Sequence, residues 1–305
     1  MKIIPYRDLE SKDGLLPLLD HAFKWVFNQS QSEGFVKIDP RLKNGPVSFC
    51  AVEDGRIIGH VGVMDLATRT LDRSIEYVGG LYGVATLPGY ARKGVCTTLM
   101  NKAHEYFRNK RYRFSFLFTG QALVAHALYE KLGYSDLIEF PSVYKVFHDK
   151  KAKHYPKENI VGFDPERILA VYTEFSKEKT GFVVRDRAHI KMLKKTEGIK
   201  PKQCIVDDEG YVIFREDKTG IWIRELVALN ADQMHKLVDI LENGTRGAVY
   251  DRAVLDARLL EVYRSRGYMV QNRSWGVMMF KPLTSGASFK KTYGDRFYLS
   301  RLDAV

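Results

Sequence analysis

Long apolar runs, paired cysteines and clustered histidines are all scarce in this chain of 305 residues. No stretch of about 18 apolar residues is present, which excludes an ordinary membrane-spanning helix. The three cysteines, Cys50, Cys96 and Cys204, form no C-x-x-C pair, and the eight histidines form no H-x-x-x-H pair. A disulfide framework is therefore not expected, and neither is a metal site.

We expect no signal peptide either, because the N-terminal MKIIPYRDLE already carries acidic residues where a signal would have its apolar core. We therefore expect a cytoplasmic protein. The chain does have enough apolar residues, 45% of the total with 12% aromatic, to build packed cores. At this length two domains are the first expectation.

The net charge of +11 raises the question of nucleic acid as a partner. The basic residues are spread along the chain and match no nucleic-acid-binding motif. The most basic stretch, 148–157, is interpreted as a solvated linker, and a polyanionic ligand would suit a basic protein as well. We expect no nucleic-acid partner and no membrane partner, while a homo-oligomer stays open.

The most informative stretch is 79–100, GGLYGVATLPGYARKGVCTTLM, in which a strand leads through a basic loop into a helix. The helix begins near Val95, where the first backbone N–H groups lack partners within the helix and the dipole favours an anion. Arg92 and Lys93 add positive charge, and Gly94 allows a ligand to approach the backbone closely. Alone, this pattern fits a phosphate site and an ordinary strand–turn–helix connection equally well.

This stretch resembles the acetyl-CoA-binding motif of GNAT N-acetyltransferases, Q/R-x-x-G-x-G/A, and the string GGLYGVATLPGYARKG resembles the Eis (enhanced intracellular survival) branch in particular. The resemblance implies that the end of the strand, Val84, Ala85 and Thr86, pairs with the pantetheine arm of acetyl-CoA. It implies that the pyrophosphate is held by the loop and the first helical turn: Arg92, Lys93, Gly94, Val95, Cys96 and Thr97.

A second segment, HALYEKLGY, resembles the closing motif of the same family. There a tyrosine commonly protonates the departing CoA thiolate, which implies this role for Tyr129; otherwise Tyr129 would only pack its helix against the sheet. Three residues depart from the family pattern, Ala91, Cys96 and Ala122. They keep open a second hypothesis, a non-catalytic acyl-CoA-binding or sensor protein with the same fold.

The base that accepts the proton of the attacking amine is less well defined. Glu76 is interpreted as an ion-pair partner, Tyr82 as lining the cleft or packing, His126 as structural and Glu130 as facing solvent. In Eis-like enzymes the C-terminal carboxylate is proposed to be the base, which implies this role for Val305. An α-carboxylate is a weak base with a pKa near ~3.5, so this role would require partial burial or a relaying water.

Periodicity and turn residues predict the remaining elements. The first half has strands at 2–4, 74–86, 114–118 and 142–147, helices at 14–28, 95–110 and 122–132, and a hairpin at 47–64; the second half has helices at 165–177 and 231–242, a hairpin at 203–214 and strands at 221–228 and 275–280. The segment 31–46 is interpreted as a loop of the acceptor cleft.

The second half repeats the order of the first, and LLEVYRSRGY at 259–268 echoes HALYEKLGY. It has no Gly-rich basic loop, only Asn230 as an N-cap. The resemblance implies a mixed α+β fold of two tandem GNAT lobes, each a mostly antiparallel twisted sheet flanked by helices. The predicted boundaries are a catalytic lobe at 1–147, a basic linker at 148–160, a lobe without a cofactor site at 161–283 and a tail at 284–305 that docks on the first lobe.

The function implied by the resemblance is N-acetyl transfer. The acetyl group of acetyl-CoA, the co-substrate, would pass by direct attack to a primary amine of a small molecule or peptide, without a metal. The sequence does not identify the acceptor.

Overall fold

The computed structural model describes residues 1–24, 29–147, 162–272 and 276–303. The chain divides into two compact units that are not contiguous in sequence. Unit 1 contains Met1–Leu137 and Met278–Thr292, and unit 2 contains Ile138–Val277 and Tyr293–Ala304. The units thus differ from the contiguous lobes predicted at 1–147 and 161–283, and the predicted linker lies outside the described residues. Each unit combines segments that are far apart in sequence, and this depends on pairing between distant strands, which local sequence patterns do not encode.

Fifteen strands, numbered along the chain, are formed by the described residues. They are β1 Lys2–Pro5, β2 Ser48–Glu53, β3 Arg56–Arg69, β4 Ile75–Thr86, β5 Phe114–Thr119, β6 Ser135–Glu139, β7 Ser142–Val146, β8 Thr180–Phe182, β9 Cys204–Val206, β10 Gly210–Asp217, β11 Gly220–Ala228, β12 Ala248–Asp251, β13 Met269–Gln271, β14 Val277–Pro282 and β15 Phe297–Leu299.

Nine α-helices occur in the same ranges. They are α1 Leu15–Phe23, α2 Gln29–Ile38, α3 Val95–Asn109, α4 Val124–Lys131, α5 Pro165–Ser176, α6 Arg187–Thr196, α7 Ala231–Gly244, α8 Ala257–Ser265 and α9 Phe289–Tyr293.

The sheet of unit 1 has the strand order β1-β2-β3-β4-β5-β14-β6. Its first four strands pair antiparallel, and β4 pairs parallel with β5. β14 comes from the far end of the chain and lies between β5 and β6. The chain leaves β14 with a backbone hydrogen bond of 2.8 Å from Leu283 N to Arg113 O. The mixed, mostly antiparallel sheet predicted for this half is therefore confirmed.

Helix α3 packs closely on the sheet because glycines on β3 and β4 leave room for its side chains. A Cβ at Gly59 would lie 2.7 Å from Val95 Cγ1, and one at Gly79 would clash with the ring of Phe107. Val95 and Phe107 belong to the buried face of α3. Gly79 is thus required for helix packing.

Strand β4 carries a β-bulge near its end. His60 pairs with Ala85 but Gly62 pairs with Tyr82, so β4 has one residue more than β3 in this interval. Gly83 has a φ of +57°, which favours glycine, and its carbonyl lies 2.6 Å from His60 Nδ1. Burial lowers the pKa of His60 to about 4, although this hydrogen bond opposes the shift. The extra residue of the bulge is therefore accommodated by the backbone at Gly83.

Unit 2 repeats this plan with a sheet in the order β13-β7-β12-β11-β10-β9. β9, β10 and β11 pair antiparallel, and β11 pairs parallel with β12. The pairing of β10 with β11 is also bulged, because Ile213 pairs with Glu225 while Phe214 pairs with Ile223. Buried side chains of α7, α8 and the sheet form one hydrophobic core. The tandem arrangement predicted from the sequence is thus confirmed.

Several elements differ from the sequence expectations. α2 occupies much of the segment 31–46 interpreted as a loop, and β6, β8 and α6 were not predicted. β6 and β8 are short and α2 has a weak apolar period, so tertiary packing decides them. α6 does have a clear apolar face, with Ile190 and Leu193 buried, and the sequence interpretation missed it. α1 ends at Phe23, before Lys24 with a φ of +58°, while the end of the predicted helix, 25–28, lies outside the described residues, as does Trp275 of the predicted last strand.

The structure describes the tail as far as Asp303, and the tail divides between the two units, whereas the sequence predicted docking on the first lobe alone. Its first part belongs to unit 1, where Leu71 N donates to Thr292 O at 2.9 Å. The following part belongs to unit 2, where β15 pairs parallel with β8. There the buried Asp303 accepts a hydrogen bond of 2.7 Å from Arg185 Nη2. Burial acts to raise the pKa of Asp303, but Arg185 and His189 outweigh it and hold this pKa below the usual range.

Candidate functional site

The start of α3 has the backbone geometry of an anion cradle. Gly94 is the N-cap residue, with a φ of +80°, and a Cβ there would meet no protein atom within 4 Å. Thr98 donates to Gly94 O from both its N–H and its hydroxyl, each at 2.9 Å. The backbone N–H groups of the residues before Thr98 in the first helical turn have no acceptor within the helix. A negatively charged group can therefore approach them directly above Gly94.

Two cations lie on the loop before this helix. Arg92 has a φ of +60° and lines the cleft described below. The ammonium of Lys93 lies 5.3 Å above the ring of Tyr90, and Lys93 is not among the cleft-lining residues. Of the two predicted phosphate-binding cations, only Arg92 therefore faces the cleft in this conformation.

A cleft of about 590 Å³ extends from this loop between β4 and α4. Among the predicted site residues it is lined by Val84, Ala85, Thr86, Arg92, Gly94, Val95, Cys96, Thr97 and Tyr129. The sequence predictions did not include the contribution of α4, which adds Val124, Ala125, Ala127, Leu128 and Lys131. Their spacing on one helix face, around Tyr129, is the signal that could have identified them.

The cleft opens where β4 and β5 cease to pair. Their parallel pairing runs over Gly79–Leu81 and Ser115–Leu117, and the end of β4 lies beyond it. There the hydroxyl Oγ1 of Thr86 is buried and has no hydrogen-bond partner in the described part of the chain. A buried hydroxyl without a partner is costly, so its presence beside a cleft indicates a polar ligand group. This atom and the open space above Gly94 both fit a bound polar cofactor with a phosphate at one end.

Tyr129 projects from α4 into the cleft. Its side chain is only 5% exposed, and its hydroxyl makes no hydrogen bond to any described residue. Burial, and then the nearby Cys96, raise the pKa of Tyr129 well above its ordinary value. The hydroxyl therefore keeps its proton at neutral pH and is available in the cleft as a hydrogen-bond donor.

Cys96 is the one partly exposed cysteine, since Cys50 and Cys204 are fully buried. Burial raises the pKa of the Cys96 thiol to about 11. It therefore behaves as a small apolar residue of the cleft wall, and it leaves the backbone N–H groups of the first turn in place.

The candidate bases have other partners. Glu76 forms an ion pair of 2.7 Å with Arg113, as interpreted from the sequence. The Tyr82 hydroxyl donates to Val47 O at 3.0 Å, so Tyr82 packs. His126 Nε2 lies 2.7 Å from Asp136 Oδ1, a structural contact. Glu130 is largely exposed, with 58% of its side chain accessible.

Val305, the predicted base, lies outside the described residues. In the part of the chain that is described, no three His, Cys, Asp or Glu side chains could together hold a metal ion.

The equivalent helix start in unit 2 is closed by protein groups. Asn230 Oδ1 caps α7 by accepting from Gln233 N at 2.8 Å, as predicted. The Gln233 side chain donates to Asp207, and Asp207 also forms an ion pair of 2.9 Å with Lys236, so the charges at this helix start are paired with each other. Arg258 donates to Leu229 O at 3.4 Å, across the end of β11.

A second cavity, in unit 2, holds only about 20 Å³. It lies where β11 and β12 diverge, and the C-terminal segment fills this space with Tyr298, Ser300 and Arg301. Tyr263, the counterpart of Tyr129, donates to Asp251 Oδ2 at 3.1 Å.

Comparison with known proteins agrees with this geometry. Residues 6–136 match the family model of the acetyltransferase (GNAT) domain. No curated protein sequence matches the chain significantly.

Solved structures share the fold of the chain at low sequence identity. Eis1 from Mycobacterium abscessus aligns with a TM-score of 0.64 and 15% identity over 93% of this chain and 74% of its own. A GCN5-related N-acetyltransferase from Kribbella flavida aligns with a TM-score of 0.63 and 15% identity over 92% of this chain and 72% of its own. A GCN5-related N-acetyltransferase from Anabaena variabilis aligns with a TM-score of 0.62 and 17% identity over 93% of this chain and 73% of its own.

No helix within the described ranges combines the length and apolarity needed to cross a membrane. The cleft, its helix start and the matched domain all fall in the same segment of unit 1. Residues 6–136 therefore match a GNAT acetyltransferase domain, and the fold of the chain is similar to that of Eis1 from Mycobacterium abscessus.

Proposed function

We propose that the chain transfers an acetyl group from acetyl-CoA to a primary amine of a small molecule or peptide by direct attack. One observation carries this proposal. A single cleft joins a helix start suited to phosphate, the open end of β4 and the hydroxyl of Tyr129, which has no hydrogen-bond partner in the described ranges of the chain. These are the three parts that a thioester donor with a diphosphate requires.

Acetyl-CoA would be held by the residues that the resemblance assigned. The first-turn N–H groups from Val95 to Thr97, with Arg92, would bind the pyrophosphate. The end of β4 would take the pantetheine arm, and the hydroxyl of Thr86 would gain the partner that it lacks. When bound, the co-substrate supplies an activated thioester carbon for the amine. A backbone N–H at the end of β4 can stabilise the developing oxyanion, which typically contributes about 3 kcal/mol.

Tyr129 would act as the general acid. The amine nitrogen forms the new bond to the acetyl carbon, the carbon–sulfur bond breaks, and the thiolate takes the proton of the Tyr129 hydroxyl. A positioned proton donor contributes roughly 10²–10⁴-fold to the rate. Tyr129 is protonated at neutral pH, because burial raises the pKa of its hydroxyl, so the proton is present when the thiolate forms.

The amine must also lose a proton, and we propose the Val305 carboxylate as the base. Asp303 is bound by Arg185 within unit 2, so the test must leave it intact. Deletion of Ala304 and Val305 alone should lower kcat while CoA affinity stays constant. Full activity of this truncated chain would end the proposed role of Val305.

The test of the whole proposal is turnover of acetyl-CoA with a panel of primary amines, followed by thiol release. Calorimetry with CoA on the same preparation separates catalysis from binding. Thiol release that depends on the amine supports the proposal. Tight CoA binding without turnover on any amine would favour the non-catalytic sensor instead.

Cys96 offers an independent check of where CoA binds. It is the partly exposed cysteine, so a thiol-alkylating reagent should modify it slowly and before Cys50 and Cys204. CoA should protect it, as peptide mass spectrometry would show. Unchanged alkylation of Cys96 at saturating CoA would place the ligand elsewhere.

A further inference from the structure

Behind the cleft, three buried polar side chains of unit 1 form a hydrogen-bond network. The Tyr134 hydroxyl lies 2.8 Å from His104 Nε2 and 2.7 Å from Ser115 Oγ. Tyr134 is 3% exposed, and the other two residues are fully buried. His104 belongs to α3 and Ser115 to β5, so the Tyr134 hydroxyl connects the cofactor helix with the central sheet.

Tyr134 is also bound directly to the backbone of Tyr129. Its N–H donates to Tyr129 O at 3.0 Å, closing the end of α4 beside Gly133, which has a φ of +86°. The two tyrosine rings meet edge to face with centroids 6.1 Å apart. A shift of the Tyr134 ring would therefore move both the backbone and the ring of Tyr129.

Unit 2 has the same backbone without the network. Tyr268 N donates to Tyr263 O at 3.0 Å beside Gly267, which has a φ of +76°. The hydroxyl of Tyr268, however, is buried and makes no hydrogen bond to the described residues. Capping the helix therefore does not require the network, which accompanies only the unit that has an open cleft.

The network also has a cost that packing alone would avoid. His104 Nδ1 is buried and has no hydrogen-bond partner among the described residues. Burial lowers the pKa of His104 to about 3, so the ring is neutral. A phenylalanine at 134 with apolar neighbours would fill the same space without unsatisfied groups. What the hydrogen bonds add is a fixed position of the ring between α3 and β5.

We propose that Tyr134, anchored by His104 and Ser115, is a positioning residue that holds the Tyr129 hydroxyl in the geometry needed for proton donation. This inference rests on the proposed function of Tyr129. Tyr134 lies outside the residues that line the cleft, so it acts through Tyr129 and does not touch the reacting atoms.

The first experiment compares Tyr134→Phe with Tyr268→Phe, the matched change in unit 2. Tyr134→Phe should lower kcat about tenfold, while the KM for acetyl-CoA and the Kd of CoA stay within about twofold. Tyr268→Phe should leave all three constants unchanged. Equal kcat values for Tyr134→Phe and the wild type would overturn the proposal, and so would a loss of CoA affinity that matches the loss of kcat.

A double-mutant cycle with Tyr129→Phe tests whether Tyr134 acts through Tyr129. If it does, Tyr134→Phe should cause no further loss of kcat in the Tyr129→Phe background. An undiminished tenfold loss in that background would show an independent effect and overturn the proposal. Ser115→Ala keeps the test available if Tyr134→Phe does not fold, with an expected loss of about threefold that Tyr129→Phe likewise removes.

The failure of this inference is distinguishable from failure of the proposed function. A wild-type chain without amine-dependent turnover would contradict the function, and an unaffected Tyr129→Phe would contradict the general acid. Turnover that depends on Tyr129 but not on Tyr134 would contradict the positioning role alone.

Discussion

The two units share the same strand–helix–strand arrangement, but they differ at the start of the helix and at the hydroxyl of the equivalent tyrosine. In unit 1 the helix start is a glycine with open space above it, and cations lie on the loop. In unit 2 the equivalent helix is capped by Asn230, and Asp207 lies beside it. The free hydroxyl of Tyr129 corresponds to Tyr263, whose hydroxyl is bound by Asp251.

The comparison shows that, within a shared fold, a few side chains decide whether a unit has an open cleft. The cleft of unit 1 measures about 590 Å³, whereas the cavity beside β11 in unit 2 holds about 20 Å³ because the C-terminal segment fills it. In unit 2 the hydroxyl of Tyr263 is bound by Asp251, which stabilises that unit and leaves the hydroxyl unavailable to a ligand. Leaving Thr86 and Tyr129 without partners keeps unit 1 ready for a ligand.

The largest expected effect comes from placing a negative charge at each helix start. Gly94→Asp should weaken CoA binding about a hundredfold or more, because the carboxylate would occupy the space where phosphate binds. Asn230→Asp keeps a good N-cap and should leave CoA binding unchanged. Calorimetry measures both, with circular dichroism to verify the fold.

Gly94→Asn separates charge from backbone strain in that experiment. Asparagine tolerates positive φ about as well as aspartate does and carries no charge. It should bind CoA more tightly than the aspartate variant. Equal affinities of the two variants would attribute the loss to the backbone and weaken the comparison of charges.

The second prediction contrasts the two equivalent tyrosines. Tyr129→Phe should lower kcat at least about tenfold with CoA affinity retained, since only the proton donor is lost. Tyr263→Phe should leave kcat unchanged but destabilise the protein by roughly 1–3 kcal/mol, because Asp251 loses a buried donor. Steady-state kinetics and urea unfolding measure the pair. If Tyr263→Phe slowed catalysis as Tyr129→Phe does, the units would not differ as proposed.

The third prediction uses the pH dependence of unit 2. Burial raises the pKa of Asp251 from 3.8 to about 6, against hydrogen bonds from Ala253 and Tyr263. The raised pKa means that its contribution to stability is full below about pH 4 and is lost as pH rises through about 6. Between these limits, wild type should lose roughly 1–3 kcal/mol of unfolding free energy relative to Asp251→Asn. A pH-independent difference between the two proteins would contradict this.

The smallest expected effect concerns Thr86. Thr86→Val removes a buried hydroxyl that has no partner, so the melting temperature should stay constant or rise. If that hydroxyl binds CoA, the Kd should increase about fivefold, while Thr86→Ser should retain affinity. A valine variant with wild-type Kd would show that the hydroxyl has no ligand to bind.

The candidate site was largely predictable because its residues are adjacent in sequence. The helix start at Val95, the glycine before it and the end of β4 follow from local rules about turns, caps and strands. Tyr129 was identified through the resemblance of a short motif, and in the structure it lines the same cleft as the helix start at Val95. Lys93 was expected in the site but lies over Tyr90, since a flexible side chain's direction is not set by its position in the sequence.

Other features depended on distant contacts that no local pattern contains. Strand β14 joins the sheet of unit 1 from the far end of the chain, and β7 pairs with β12 in unit 2. Helix α2 has a weak apolar period and was missed. The bond between Tyr134 and His104 spans 30 residues, and nothing in either segment indicates it.

The sequence by itself determined the strand–loop–helix at the cleft and the repeat of this arrangement in the second half, because turns, caps and apolar periods act over a few residues. Tertiary structure alone decided which polar groups find a hydrogen-bond partner. Tyr263 meets Asp251, and Tyr134 meets Ser115, whereas the hydroxyl of Tyr129 meets no partner among the described residues. Hydrogen bonds require atoms within about 3 Å. Only the folded chain brings residues that are far apart in sequence to that distance.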